Sequence, residues 1–265
     1  EANSAVLQPP SWSIDERLIA FTAPGDTLNV ASVMTNGTAS QVIVEGLGQA
    51  FSPDGSEIAF VHENSLWTTD LQDVDPNPVT LALPDRIGFV KWSPDGEWIA
   101  FENQSTVWKV SAYGGEPERL LESSDWAWFV GWSGDSQDFY YLSAQSAPTQ
   151  IAGGWGSIWR VKTATPDSVE YVRSNIGMTA HPALAPDGSF IAAGGLGSKE
   201  GLKISRIGDD DVRTIVFDQK PNHQVSFPVI APSSNRVAFY LVPEWYTNTW
   251  MANVSVWTNP PMSLP

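Results

Sequence analysis

The sequence predicts an all-β chain, a six-bladed β-propeller with four antiparallel strands per blade. Three observations carry this: one segment recurs six times, its period is near forty residues, and each copy reads as a hairpin followed by further short apolar segments. Composition agrees. Only 17% of residues are charged while 13 are Trp, a balance that suits pleated faces better than long solvated helices. No helical periodicity runs long enough to compete.

The repeat is clearest in Phe51-Ser-Pro-Asp-Gly-Ser-Glu-Ile-Ala-Phe60 and Trp92-Ser-Pro-Asp-Gly-Glu-Trp-Ile-Ala-Phe101. Further copies run over 12–21, 132–141, 184–193 and 230–239. The anchor falls at Asp15, Asp54, Asp95, Asp135, Asp187 and Ser234, in steps of 39, 41, 40, 52 and 47 residues. In the turn, Pro presets φ near −65°, Asp accepts nearby backbone N–H groups, and Gly takes the positive-φ position. A third strand is expected at segments such as Ser65–Thr69, Thr106–Val110 and Ser157–Val161. A fourth is expected at Gln41–Val44, Val79–Leu83, Glu118–Leu121, Val169–Val172, Arg213–Val216 and Met262–Leu264. The units divide the chain into one domain of blades at about 11–50, 51–91, 92–131, 132–181, 182–226 and 227–265. Ring closure is expected from Ala5–Gln8 against the last blade.

The Ser-Pro-Asp-Gly-x-x-Ile-Ala-Phe repeat resembles the PD40-type repeat of TolB-like six-bladed propellers, over essentially all 265 residues. The resemblance implies the fold. It leaves the role open, because such propellers act as cell-envelope binding proteins, as lectin-like modules, as the non-catalytic half of some peptidases and, in a few relatives, as lyases with a His-rich metal site.

Charge and chemistry narrow the field. A net charge of −16 and a pI near 4.3 argue against nucleic acid, whose phosphates need clustered cations, and against docking on an anionic membrane. No window reaches the ~18 apolar residues of a membrane span. The absence of Cys excludes disulfides, zinc-thiolate sites and a cysteine nucleophile. No Gly-x-Ser-x-Gly elbow, His-Glu-x-x-His motif, phosphate loop or dinucleotide fingerprint occurs. Asp70, Asp73 and Asp75 have a calcium-loop rhythm but lack its turn glycine and closing Glu. Asp209–Asp211 reads as a solvated turn. No cofactor is expected. The chain opens on Glu1 without a basic-then-apolar leader, as a mature or trimmed chain does.

The Asp turns fall on one face of the disc, and the second-to-third-strand loops and blade links on the other. Insertions depart from the repeat on that second face. They carry Trp126, Trp128, Trp155, Trp245, Tyr246 and Trp250, the candidate ligand-binding residues, since aromatic-rich concave patches are recognition surfaces. Trp67, Trp108, Trp159 and Trp257 share one repeat position and are expected to pack between blades. His62, His181 and His223 map to the variable face, and a metal held by them is a minority reading. The expected function is that of a non-catalytic extracytoplasmic binding or assembly propeller, periplasmic, secreted or at the cell surface, with a protein or glycan partner. The alternatives are a polysaccharide lyase or glycoside hydrolase working at the channel mouth, and a structural subunit of a larger surface assembly.

Overall fold

The computed structural model describes residues 8–23, 28–80, 86–103, 106–122, 126–144, 154–178, 181–194, 201–207, 212–215, 223–233, 236–243 and 253–258. The regular elements within them are strands, arranged in antiparallel sheets that follow chain order. The first sheet is β1 (Ser11–Trp12), β2 (Leu18–Ala23), β3 (Asn29–Met34) and β4 (Gln41–Glu45). The second is β5 (Leu47–Phe51), β6 (Glu57–His62), β7 (Ser65–Asp70) and β8 (Asn77–Pro78). The third is β9 (Ile87–Trp92), β10 (Trp98–Asn103), β11 (Thr106–Ser111) and β12 (Glu118–Glu122). The fourth is β13 (Trp126–Trp132), β14 (Asp138–Ala144), β15 (Gly154–Lys162) and β16 (Thr165–Met178). The fifth is β17 (Ala183–Leu184), β18 (Phe190–Gly194), β19 (Leu202–Arg206) and β20 (Val212–Ile215). The last has three strands among the described residues, β21 (His223–Ile230), β22 (Arg236–Pro243) and β23 (Asn253–Thr258). Its expected fourth segment, Met262–Leu264, lies outside the described residues. The observed fold is therefore an all-β propeller with five complete blades and a sixth, three-stranded sheet.

The first hairpin of each unit closes as its sequence dictates. Gly55, Gly96 and Gly188 donate their N–H groups back to Ser52, Ser93 and Ala185, with φ of +78°, +77° and +72°. Where the repeat lacks glycine the backbone still adopts that conformation, at Glu16 (φ +57°) and Ser136 (φ +60°). The turn Asp is an acceptor. Asp54 Oδ1 takes the Ser52 hydroxyl at 2.7 Å and the Ser56 N–H at 3.0 Å, and these bonds hold its carboxyl below the usual range.

The core is distributed around the ring. Each of the six buried clusters joins two successive sheets. Val61 and Leu66 meet Ile87 and Val90, for example. The last cluster joins Trp12 and Ile19 to Val229 and Ala238, closing the ring between first and last sheets. Trp67, Trp108 and Trp159 each pack against such a cluster. The side chain of Trp257 lies outside the described part.

Three local expectations change. The fourth strand of the second blade is Asn77–Pro78, just before the expected Val79–Leu83, of which 81–83 lie outside the described residues; Val79 turns inward, is buried and donates its N–H to Leu66 O at 2.7 Å. In the fourth blade the strand expected over Val169–Val172 extends to Thr165–Met178, paired to β15 with three register shifts. Gln8, expected against the last blade, is bonded to the third. It is buried, and its Oε1 accepts the N–H of Phe89 in the third blade. Ala5–Leu7 lie outside the described residues.

Candidate functional site

The first strand of each blade borders the central channel, and the second, third, fourth and sixth blades carry a bulge in it. A bulge adds a residue and re-aims a side chain. At the bulge, Gly48, Phe89 and Phe227 have φ of +67°, +44° and +51°. Glycine accepts that conformation freely, whereas a phenylalanine there is strained by roughly 1–3 kcal/mol and must be held by its surroundings. Phe89 is held by the hydrogen bond from its N–H to Gln8 Oε1, at 3.3 Å.

The two strained rings belong to a stack that fills the middle of the channel. His181 lies against Phe89 with ring centroids 3.3 Å apart and against Trp128 at 4.3 Å. Phe227 is 5.9 Å from Phe89 in nearly parallel planes. His181 is 6% exposed. Its Nε2 is 3.2 Å from Glu102 Oε2, so the proton on that nitrogen points at the carboxylate, which can only accept. The other oxygen, Oε1, takes the N–H of Phe129. Burial pushes the His181 imidazole below its ordinary pKa, against the pull of Glu102. Close by, burial brings Lys91 down to about 8, and Glu102 offsets only part of this. Lys91, Glu102 and His181 thus form one electrostatically coupled group in the channel, drawn from the third blade and the segment leading into the fifth.

Beyond the stack the channel opens as a hollow of about 230 Å³ toward the Asp-turn face, with turn residues Pro94, Pro186 and Pro232 on its wall. One repeat position, two residues before the turn Ser or its equivalent, lines it from every sheet: Ser11, Ala50, Lys91, Gly131, Ala183 and Val229.

Of the aromatic residues singled out by the sequence, Trp128 is part-buried in the stack. Trp126 and Trp155 contribute backbone to β13 and β15, and their side chains lie outside the described part. Trp245, Tyr246 and Trp250 lie outside the described residues. The histidines separate. His62 lines a different hollow of about 310 Å³ with Glu45, Phe60 and Trp67, while His181 is in the channel. His223 is described only as backbone of β21. Among the described residues no three His, Asp or Glu side chains group as metal ligands. Asp70 accepts the N–H groups of Gln72 and Asp73, as a turn residue does. Asp209–Asp211 lie outside the described residues.

Lys91 and Glu102 were not among the sequence candidates, though the repeat marks both. Glu102 follows Ile-Ala-Phe101 where the second copy has the buried Val61, and Lys91 stands where the other copies have small or neutral residues. A charge at an apolar repeat position was the available signal.

No protein-family model matches the sequence, and no curated protein matches it either. Solved structures do. A protein described as TolB from Agrobacterium tumefaciens is 17% identical, with a TM-score of 0.67 over 96% of this chain and 86% of that one. Oligogalacturonate lyase from Vibrio parahaemolyticus is 13% identical, with a TM-score of 0.59 over 96% and 89%. The β-propeller domain of the Trilobed protease from Pyrococcus furiosus, described as having an open velcro topology, is 16% identical, with a TM-score of 0.58 over 98% and 83%. At these identities the likeness is one of fold, and the fold is that of TolB-like propellers.

Proposed function

We propose that this chain is a non-catalytic, extracytoplasmic binding propeller, six-bladed over its full length, that recognises a protein or a glycan on its loop face. The proposed contact residues are Trp126, Trp128, Trp155, Trp245, Tyr246 and Trp250. One observation supports this reading above others: the Phe89, His181, Trp128 and Phe227 stack fills the channel below the loops. A disc whose middle is filled in this way offers a surface on its loop side in place of a tunnel, and surfaces suit chains and polymers. The likeness in fold to a TolB protein is compatible with a protein partner. No helix among the described residues is long and apolar enough to cross a membrane. The net charge of −16 favours neutral or cationic partners.

The test replaces the loops bearing Trp155 and Trp245 with Gly-Ser segments and compares glycan-array signal and crosslinking to envelope proteins with the unaltered chain. Loss of both at unchanged melting temperature is the expected result. Undiminished binding overturns the assignment of this face.

A second reading, a polysaccharide lyase or glycoside hydrolase, draws on the fold of the Vibrio lyase and on the coupled Lys91, Glu102 and His181. Turnover of polyuronide or neutral glycan, abolished by Glu102→Gln, distinguishes it from the binding reading.

A further inference from the structure

The hollow lies on the Asp-turn side of the aromatic stack, with Phe89 of the stack on its wall. Its six ring positions are five small or neutral residues and one lysine. The small residues leave space, and Lys91 sets the charge. Lys91 is the one ionisable residue among those lining the hollow. No described carboxylate makes an ion pair with it: Glu102, the nearest acid coupled to it, is already engaged by Phe129 N–H and His181. Two other polar groups on the wall retain donors. Gln8 uses Oε1 to accept from Phe89, which leaves its amide NH2 without a described partner. Ser11 Oγ accepts from Phe51 N–H, which leaves its own proton to donate. Gln49, also on the wall, is engaged by the Thr22 hydroxyl and by the Pro9 and Ala20 carbonyls, and the other side chains are largely apolar, with Trp12, Trp92, Leu184 and Ile230 prominent.

We propose that this hollow binds the carboxylate of a small apolar acid, with Lys91 as counter-charge, Gln8 and Ser11 as donors, and the tryptophan-lined wall around the apolar body. A part-buried cation with no ion-pair partner among the described carboxylates carries a desolvation cost that is only partly offset. An entering carboxylate offsets it through a charge-assisted hydrogen bond. The depressed titration of Lys91, to about 8, agrees with this and still leaves it mostly charged at neutral pH. The protein's net charge of −16 opposes any anion at long range, so selectivity rests on the hollow itself. The volume admits a benzoate-sized ring. The acid is either a free molecule or the C-terminal carboxylate of a chain inserted end-on.

Calorimetric titration with benzoate, benzamide and benzylamine is the test. Benzoate is expected to bind saturably, at least tenfold tighter than the other two. Lys91→Met is expected to lose this preference, and Lys91→Arg, which retains the charge, to keep most of it. Thermal melts verify that both variants fold. Crystals of the unaltered protein soaked in 4-bromobenzoate supply a readout independent of any variant, with the anomalous bromine signal expected inside the ring of six first strands. A peptide ending in a free Phe carboxylate, compared with its amide, separates the two sources: tight binding of the free-ended peptide identifies a chain end, and binding of benzoate alone identifies a free acid. Benzoate binding no tighter than benzamide, unchanged affinity in Lys91→Met, or bromine located elsewhere overturns the proposal.

Discussion

The Glu102 carboxylate reaches from the third blade to His181 at the entry of the fifth, with Oε2 and Nε2 3.2 Å apart, while its other oxygen takes Phe129 N–H in the fourth. One acid thereby links three consecutive blades. In repeat architectures stability is close to a sum of nearest-neighbour interfaces, and here the six apolar clusters supply those. The channel is where blades that are not neighbours can touch. The Phe89–His181 stack, also between the third blade and the fifth, does so in the same place. A coupled polar and aromatic plug couples blades across the ring.

Glu102→Ala leaves two buried donors, Phe129 N–H and His181 Nε2–H, without their acceptor. Breaking a buried, hydrogen-bonded charge cluster in this way costs about 3–5 kcal/mol. Urea denaturation should show a lower midpoint at unchanged slope. Glu102→Gln, which preserves one acceptor oxygen, should fall between. Wild-type stability in Glu102→Ala means that the bonds contribute nothing net.

Acid should weaken the protein through His181. Its folded pKa lies below the ordinary 6.5 because burial disfavours the imidazolium. Between the folded and unfolded values the unfolded chain binds more protons, so stability falls as pH drops below about 6.5 and the loss is complete beneath the folded pKa. Above 6.5 this group has no effect. NMR titration of the three imidazoles, with His181 assigned through His181→Gln, should find it the residue that protonates below 6.5 in step with falling stability. A midpoint at or above 6.5 contradicts the burial account.

Two turn glycines with similar φ should respond differently to alanine. A Cβ at Gly188 (φ +72°) meets nothing within 4 Å, so Gly188→Ala carries only the left-handed strain, about 1 kcal/mol. A Cβ at Gly55 (φ +78°) comes 2.6 Å from Ile14 Cγ2. That methyl is anchored on a β-branched carbon and cannot swing aside cheaply. Gly55→Ala should therefore cost about 1–3 kcal/mol more, read as the difference in denaturation midpoint between the two variants. Equal losses mean that Ile14 moves freely.

The blade architecture was legible because the repeat encodes a turn. Pro, Asp and Gly at fixed offsets, then Ile-Ala-Phe, specify a hairpin whose register is set by its loop. The channel was less legible. The bulges at Phe89 and Phe227 leave no local signature, since neither residue favours positive φ. Only tertiary support holds them there, and support such as the bond from Phe89 N–H to Gln8, 81 positions away, is invisible to a local pattern. His181 stands out in the sequence as one of three histidines, but its environment of aromatic rings and one carboxylate exists only once the blades are arranged in a ring. Val79 misleads because an apolar residue at a strand-like spacing serves equally well as a plug turned into the core.

Ring closure should depend on Arg236. Its Nη2 donates to Glu16 Oε2 and to the Glu16 carbonyl, each at 2.8 Å, and its guanidinium lies 4.7 Å from the Trp12 ring centroid. Glu16 in turn accepts Ser233 N–H at 2.6 Å. Trp12 Nε1 donates to Val229 O at 3.1 Å across the same seam. The hydrogen-bonded pairs are 217 or 220 positions apart, so the seam joins the two ends of the described propeller. Arg236 and Glu16 are both more than three-quarters buried at the side chain, so the pair is screened less than a surface bridge. Arg236→Ala should cost roughly 2–3 kcal/mol. Arg236→Lys should recover little, because one ammonium cannot make the forked contact and lie over the indole as well. Hydrogen exchange is the sharper readout: protection should fall first in β1, β2 and β22 and least in β10 and β14, on the far side of the ring. Uniform loss of protection in all sheets means that the seam does not open as a local unit.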